Sequence, residues 1–161
     1  MSTHDLPRTL KITIVWLVIG TLVFLAVQAW QAQQKQAMFH ATGGAIELKR
    51  GSDGHFHWPG KLNGVAVDFL VDTGATTTAL PQALAEQAGL TSEGSTRSST
   101  AGGTVRGWVA RADIELDGGV SAQRLRVTVL PRLDGPLLGM DVLSKMRFSQ
   151  QGGVLRFEPG R

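Results

Sequence analysis

The sequence predicts an all-β domain with one or two short helices, preceded by a single apolar helix. Three observations lead there. Glycine is abundant (20 residues of 161) and aromatic residues make up only 6%, a balance that favours turn-rich strands over a helical bundle. From Ala45 onward, short alternating or apolar runs are separated by glycine-marked turns. Before that domain, Ile12 to Trp30 ("ITIVWLVIGTLVFLAVQAW") carries no charge.

The apolar segment comes first along the chain. At about 1.5 Å per residue, a helix of roughly 20 residues crosses a bilayer core. Residues 12–30 are therefore expected to form a transmembrane helix, with Trp30 suited to an interface. Arg8 and Lys11 precede the run and only Lys35 follows closely. The positive-inside rule then makes residues 1–11 a cytoplasmic tail and puts everything after Trp30 on the other side. Val27-Gln28-Ala29 would serve as a signal-peptide cleavage site, but the run exceeds the roughly 7–15 residues of a usual signal core. A buried helix of a soluble protein is a third reading, and such helices seldom lack charge for so long. Residues 31–44 are polar and glycine-ended, and read as a linker to a domain at 45–161.

Charge and cysteine content exclude several classes. The formal charge is +3, with no cysteine, so disulfides and thiolate metal sites are ruled out. Arg8, Lys11 and Lys35 against Asp5 leave residues 1–40 with a net of +2 and the rest with +1. No basic run is interleaved with aromatics, which argues against a nucleic-acid partner.

Within the domain, "AIELKR", "GSDG" and "HFHWPG" form a hairpin signal, and "LNG" is a second turn. "VAVDFLV" is a strand whose end is apolar on both faces, so it enters the interior. "PQALAEQAGL" is a short helix from Pro81 to Gly89. "TSEGSTRSST" is a loop or an exposed strand. "STAGGTVRGWVARADIEL" is a long hairpin with Gly102-Gly103 at or near its tip. "AQRLRVTVLP" alternates as a strand. "GPLLGMDVLSKM" is an apolar strand, a glycine and a short helix, and "RFSQQGGVLRFEP" is a closing hairpin.

The chemistry concentrates at "FLVDTGATTTAL", Phe69 to Leu80, where an apolar strand ends in the carboxylate of Asp72. Such a carboxylate is costly unless it is used. A carboxylate presented in this way can take up or give a proton, and two of them held a few ångströms apart would share one. Gly74 lets the backbone approach the carboxylate, and Thr73 brings a hydroxyl that can satisfy buried polar groups. Only one Asp-Thr-Gly is present, so a dyad requires a C2 homodimer that sets Asp72 beside its mate.

Three ordered motifs carry a family resemblance: "FLVDTGAT", "TAGGTV" and "LLGMDVL". Together they resemble the retropepsin-like aspartic proteases and are similar, more closely, to the bacterial membrane-anchored clan AA type. The resemblance implies a closed or partly open β-barrel and peptide-bond hydrolysis in a homodimer without cofactor or metal. Asp72 would be catalytic, with Thr73, Gly74 and Ala75 as the active-site loop. Ala101, Gly102, Gly103 and Thr104 would form the substrate-covering flap, and Leu137, Leu138 and Gly139 the supporting element. It further implies peptide or protein substrates and a single-pass protein of the bacterial inner membrane with a periplasmic protease domain. Thr76 and Thr77 stand where viral relatives carry acidic residues, and Met140-Asp141 where they often carry Arg-Asn, so viral substrate preferences and the viral dimer-locking ion pair do not carry over. The terminal "VLRF" is a candidate dimer-interface strand. The competing reading is a non-catalytic, membrane-anchored peptide-binding or assembly module of the same fold.

Other constellations are weaker. His55 and His57 share one strand face, but no acidic residue is spaced near them as a metal ligand, so an exposed hairpin face is expected. No Gly-x-Ser-x-Gly elbow and no Gly-Lys-Ser/Thr phosphate loop occurs.

Overall fold

The computed structural model describes residues 8–35, 38–41, 43–100 and 103–159. They fall into two compact units, 1–36 and 37–161.

The first unit is one helix, α1 (Arg8–Lys35), of 28 residues. It covers the expected 12–30 and runs on through "QAQQK", where alanine, glutamine and lysine favour helix and nothing breaks it. The hydroxyls of Thr13 and Thr21 donate back to the carbonyls of Thr9 and Leu17, which satisfies them within the helix. Apolar side chains such as Leu17, Leu22 and Phe24 are exposed. The expected membrane span is nevertheless not borne out: among the described residues, no helix is long and apolar enough to cross a membrane.

The second unit is mostly strand. In chain order it contains β1 (Met38–Ala41), β2 (Ile46–Lys49), β3 (His57–Leu62), β4 (Val65–Val71), β5 (Ala79–Pro81), α2 (Gln82–Gln87) and β6 (Gly94–Thr100). There follow β7 (Gly103–Leu116), β8 (Val120–Leu130), β9 (Leu137–Leu138), α3 (Met140–Leu143), β10 (Met146–Gln151) and β11 (Val154–Pro159). An eight-stranded sheet has the order β1-β8-β5-β9-β4-β3-β7-β6, and a further pairing joins β8 to β7. The expected barrel reduces to this cycle of pairings: β8, β5, β9, β4, β3, β7 and back to β8. A second sheet has the order β10-β11-β2.

Several elements form where the pattern placed them, and three differ. The expected linker over 31–44 contains the end of α1 and all of β1, which adds to the edge of β8 from Met38↔Gln123 to Ala41↔Val120. The expected hairpin of "AIELKR" with "HFHWPG" is reduced to one bridge, Arg50↔Phe56. Both sides of β3 are taken by β4 and β7, so β2 crosses to the second sheet and pairs with β11. "VLRF" lies in the middle of that sheet, flanked by β10 and β2, and so offers no free edge to a second chain.

The core is apolar and continuous. Trp58, Leu62, Phe69, Leu80, Ile114, Leu138 and Phe157 are almost fully buried. Trp58 on β3 meets Phe157 on β11 with ring centroids 4.6 Å apart, which joins the two sheets. The Trp58 indole N–H donates to the Asp117 carbonyl at 2.8 Å, so its one polar atom is satisfied where it is buried.

Candidate active site

Asp72 sits just past the end of β4, where that strand runs parallel to the two-residue β9 (Leu70↔Leu137, Val71↔Leu138). The pairing continues one step beyond the strand: the Asp72 N–H donates to the Leu138 carbonyl at 3.0 Å. The backbone then turns, with the Ala75 N–H on the Asp72 carbonyl at 3.2 Å. The Gly74 N–H donates to Asp72 Oδ1 at 2.8 Å. A Cβ at Gly74 would lie 3.2 Å from that oxygen, which is the close approach glycine permits. Asp72 is half-buried and Thr73 is exposed.

The supporting loop is tied to the Asp-Thr-Gly loop by further bonds. Met140 N–H reaches the Ala75 carbonyl at 2.8 Å, and Asp141 N–H the Thr76 carbonyl at 3.2 Å. Gly139 fits directly against this backbone, since an added Cβ would fall 2.5 Å from the Thr77 carbonyl carbon. Beneath lies a network the sequence reading did not single out. Asp141 accepts the Thr78 N–H at 2.9 Å and the Thr78 hydroxyl at 2.8 Å. The Thr78 hydroxyl oxygen in turn accepts the Gly139 N–H at 3.2 Å. Thr78 is fully buried, the one buried polar side chain among the described residues. Its signal in the sequence was the hydroxyl-rich "TTT" followed, far along the chain, by a lone acid at the start of an apolar helix.

Asp72 opens onto a cavity of about 510 Å³. Gly74, Ala75 and Leu137 also line it, as do Thr76 and Thr77. Of the expected flap, Ala101 and Gly102 lie outside the described residues, and Gly103 and Thr104 begin β7 as exposed positions. The residues of the β6–β7 hairpin that do line the cavity are Arg97, Ser98 and Ser99. They come from the segment whose pattern left loop and exposed strand open, and it is strand. No acidic side chain other than Asp72 lines the cavity among the described residues.

His57 is not the plain exposed position expected of it. Its Nε2 lies 2.8 Å from Asp53 Oδ2 and its Nδ1 3.2 Å from Asp68 Oδ2. The Asp53 carboxylate, with a smaller contribution from Asp68, raises the imidazole above its ordinary value of 6.5 against an opposing effect of burial. The same bond, helped by the His55 N–H, lowers Asp53 below 3.8. Among the described residues no group of side chains is placed to hold a metal ion.

The structural element is thus a glycine-opened loop presenting one carboxylate, locked to a second loop and facing a cleft under a hairpin. Comparison with known proteins defines the class. A retropepsin-like aspartic protease from Rickettsia conorii matches with a TM-score of 0.58 at 24% identity, covering 77% of this chain and 96% of that one; the two share a fold. EIAV protease in complex with the inhibitor HBY-793 matches with a TM-score of 0.47 at 21% identity, over 58% of this chain and 89% of that one. No curated protein sequence matches the chain. The family model described as gag-polyprotein putative aspartyl protease matches residues 58–145. The chain belongs to that family, a family of aspartyl peptidases.

Proposed function

We propose that the chain is an aspartic endopeptidase whose active site is an Asp72 dyad formed across a homodimer. The observation that carries this reading is a single carboxylate, held by the Gly74 N–H, at a cleft with no second acid among its described lining residues. One carboxylate supplies half of an acid–base pair. A two-fold axis beside the loop supplies the other half from an identical chain.

In that arrangement the two carboxylates share a proton and titrate as a unit. The ionised one takes a proton from a water molecule, which attacks the scissile carbonyl. The protonated one donates a hydrogen bond to the carbonyl oxygen and stabilises the charge that develops there. The exposed Thr73 hydroxyl is available to bond across the paired loops. The β6–β7 hairpin would cover an extended peptide and exclude water.

Mixing wild-type chains with Asp72→Asn chains tests the shared site. Under random pairing, activity per wild-type chain falls in proportion to the wild-type fraction. Activity per wild-type chain that stays constant on mixing refutes the shared dyad. A purified dimer that cuts no peptide from acid to neutral pH would instead point to the non-catalytic peptide-binding module.

Location is a separate proposal: residues 12–30 attach the protein to a bacterial inner membrane, with the domain on the periplasmic side. The uncharged run and the exposed apolar side chains of α1 support it. Carbonate extraction of membranes, followed by protease access to intact spheroplasts, tests it. Release into the soluble fraction refutes it.

A further inference from the structure

Four arginines stand in facing pairs on neighbouring strands. Arg97 is opposite Arg106 across β6 and β7, and Arg111 is opposite Arg126 across β7 and β8. Like charges placed directly opposite on a sheet repel. Arg111 is compensated, since its Nε–H lies 3.2 Å from Glu93 Oε2. Among the described residues, Arg97, Arg106 and Arg126 have no ion-pair partner.

Arg97 brings one of these uncompensated charges to the cleft, and Arg126 and Arg106 line cavities that it shares. Arg97 lines the Asp72 cavity, a second cavity of about 200 Å³ that it shares with Arg126, and a third of about 450 Å³ that it shares with Arg106. Thr77, Ser98 and Thr128 line both the first and the second. Apart from Asp72, no acidic side chain among the described residues lines any of the three.

We infer that the cleft selects peptides carrying a carboxylate side chain close to the bond presented to Asp72, with Arg97 as the specificity-determining residue and Arg126 extending the site. The inference rests on the reading of the cleft as a seat for an extended peptide. A guanidinium takes a carboxylate through paired N–H donors, and the ligand's charge offsets the repulsion within the arginine pairs. The cleft chemistry favours an acidic peptide over a continuous polyanion. Leu130, Leu133 and Leu137 line the same cavity, and the Asp72 carboxylate would repel a phosphate chain laid across it. An extended peptide instead alternates its side chains, so one carboxylate can reach Arg97 while apolar neighbours meet the leucines.

Fluorescence anisotropy of labelled peptides on the full Asp72→Asn chain tests this without turnover. Matched peptides carry Glu, Gln or Lys at one position at a time. At one of those positions the Glu peptide binds about tenfold tighter than the Gln peptide, the scale of one charge-assisted contact. Arg97→Gln removes that ratio, Arg97→Glu turns it in favour of Lys, and Arg147→Gln on β10 leaves it unchanged. Equal binding of Glu and Gln peptides, or a ratio that survives Arg97→Gln, overturns the inference. So does a short RNA that, on the wild-type chain with the Asp72 carboxylate in place, displaces a labelled acidic peptide carrying a non-cleavable bond at lower concentration than the same peptide unlabelled does. Digestion by the wild-type chain separates the two readings. No cleavage with the Glu preference intact refutes the proposed reaction alone, while cleavage with no acidic preference refutes the specificity alone.

Discussion

Removing the carboxylate of Asp141 tests whether the two loops of the site are held by the buried network beneath them. In Asp141→Ala, the Thr78 N–H and the Thr78 hydroxyl both lose their acceptor. Val142, whose N–H also donates to Asp141 Oδ1, keeps the Gly139 carbonyl at 3.1 Å. Thr78 is at 0% exposure, so water does not replace either lost bond. A stranded buried donor costs about 1–3 kcal/mol, and the two together come to roughly 3–5 kcal/mol once partial relaxation is allowed. For a domain of this size, that lowers the melting temperature by roughly 10–20 °C. Asp141→Asn retains one acceptor oxygen and loses about 1–2 kcal/mol. Thr78→Val strands the Gly139 N–H from the other side, and a double-mutant cycle with Asp141→Ala then shows a coupling of at least about 1 kcal/mol. Urea unfolding followed by tryptophan fluorescence measures the wild type and all four variants. A loss below about 1 kcal/mol for Asp141→Ala, or additive single losses, would refute the network's role in holding the loops.

Three further outcomes follow from the same structure. Gly139→Ala drives a Cβ to 2.5 Å from the Thr77 backbone; it separates the loops, costs about 3 kcal/mol or more and abolishes peptide cleavage while far-UV circular dichroism stays native. His57→Gln changes the pH dependence of stability. The raised imidazole value means that the wild-type advantage is fully present below 6.5 and disappears as pH rises through the higher folded value, so melting curves of the two chains should converge on the alkaline side and diverge near pH 6; an advantage that grows with pH would contradict the Asp53–His57–Asp68 contact. Trp58→Ala removes the ring that joins the two sheets and leaves the Asp117 carbonyl without the indole N–H, a loss of about 3–5 kcal/mol in denaturant midpoint experiments.

The parts of the fold that were legible in the sequence are those fixed by local rules. "VAVDFLV" reads as an entering strand because its last residues are apolar on both faces, and β4 ends at Val71 with Asp72 just beyond. Pro81 and Gly89 bracket a short helix by their backbone preferences, and α2 lies between them. Pairings made by distant segments were not legible. "AIELKR" has a turn and a strand immediately after it, yet its partner is β11 at the other end of the domain. Alternation gives a strand its faces but not its neighbour. "MFHA" carries no turn signal and becomes a strand only because β8 offers it an edge. The site divides in the same way. Asp72, its glycine and Leu137-Leu138-Gly139 belong to contiguous motifs, whereas Thr78 with Asp141, and His57 with Asp68, meet only after folding. The contact between His57 and Asp53, four residues apart, is local. Strand alternation does not show it, because Asp53 lies in the turn before β3 begins at His57.

The central place of β11 in the second sheet has a consequence for how the protein comes to life on the ribosome. β2 is the second strand of the domain to be made, but its sheet partner, Val154–Phe157, is synthesised roughly a hundred residues later. Trp58 likewise waits for Phe157 before the face between the sheets is closed. A nascent chain halted short of this segment holds the whole Asp-Thr-Gly loop and its cleft strands on an unfinished core. Emergence of β11 therefore times the maturation of the domain, and a chain built this way stays immature until Val154–Phe157 have been made.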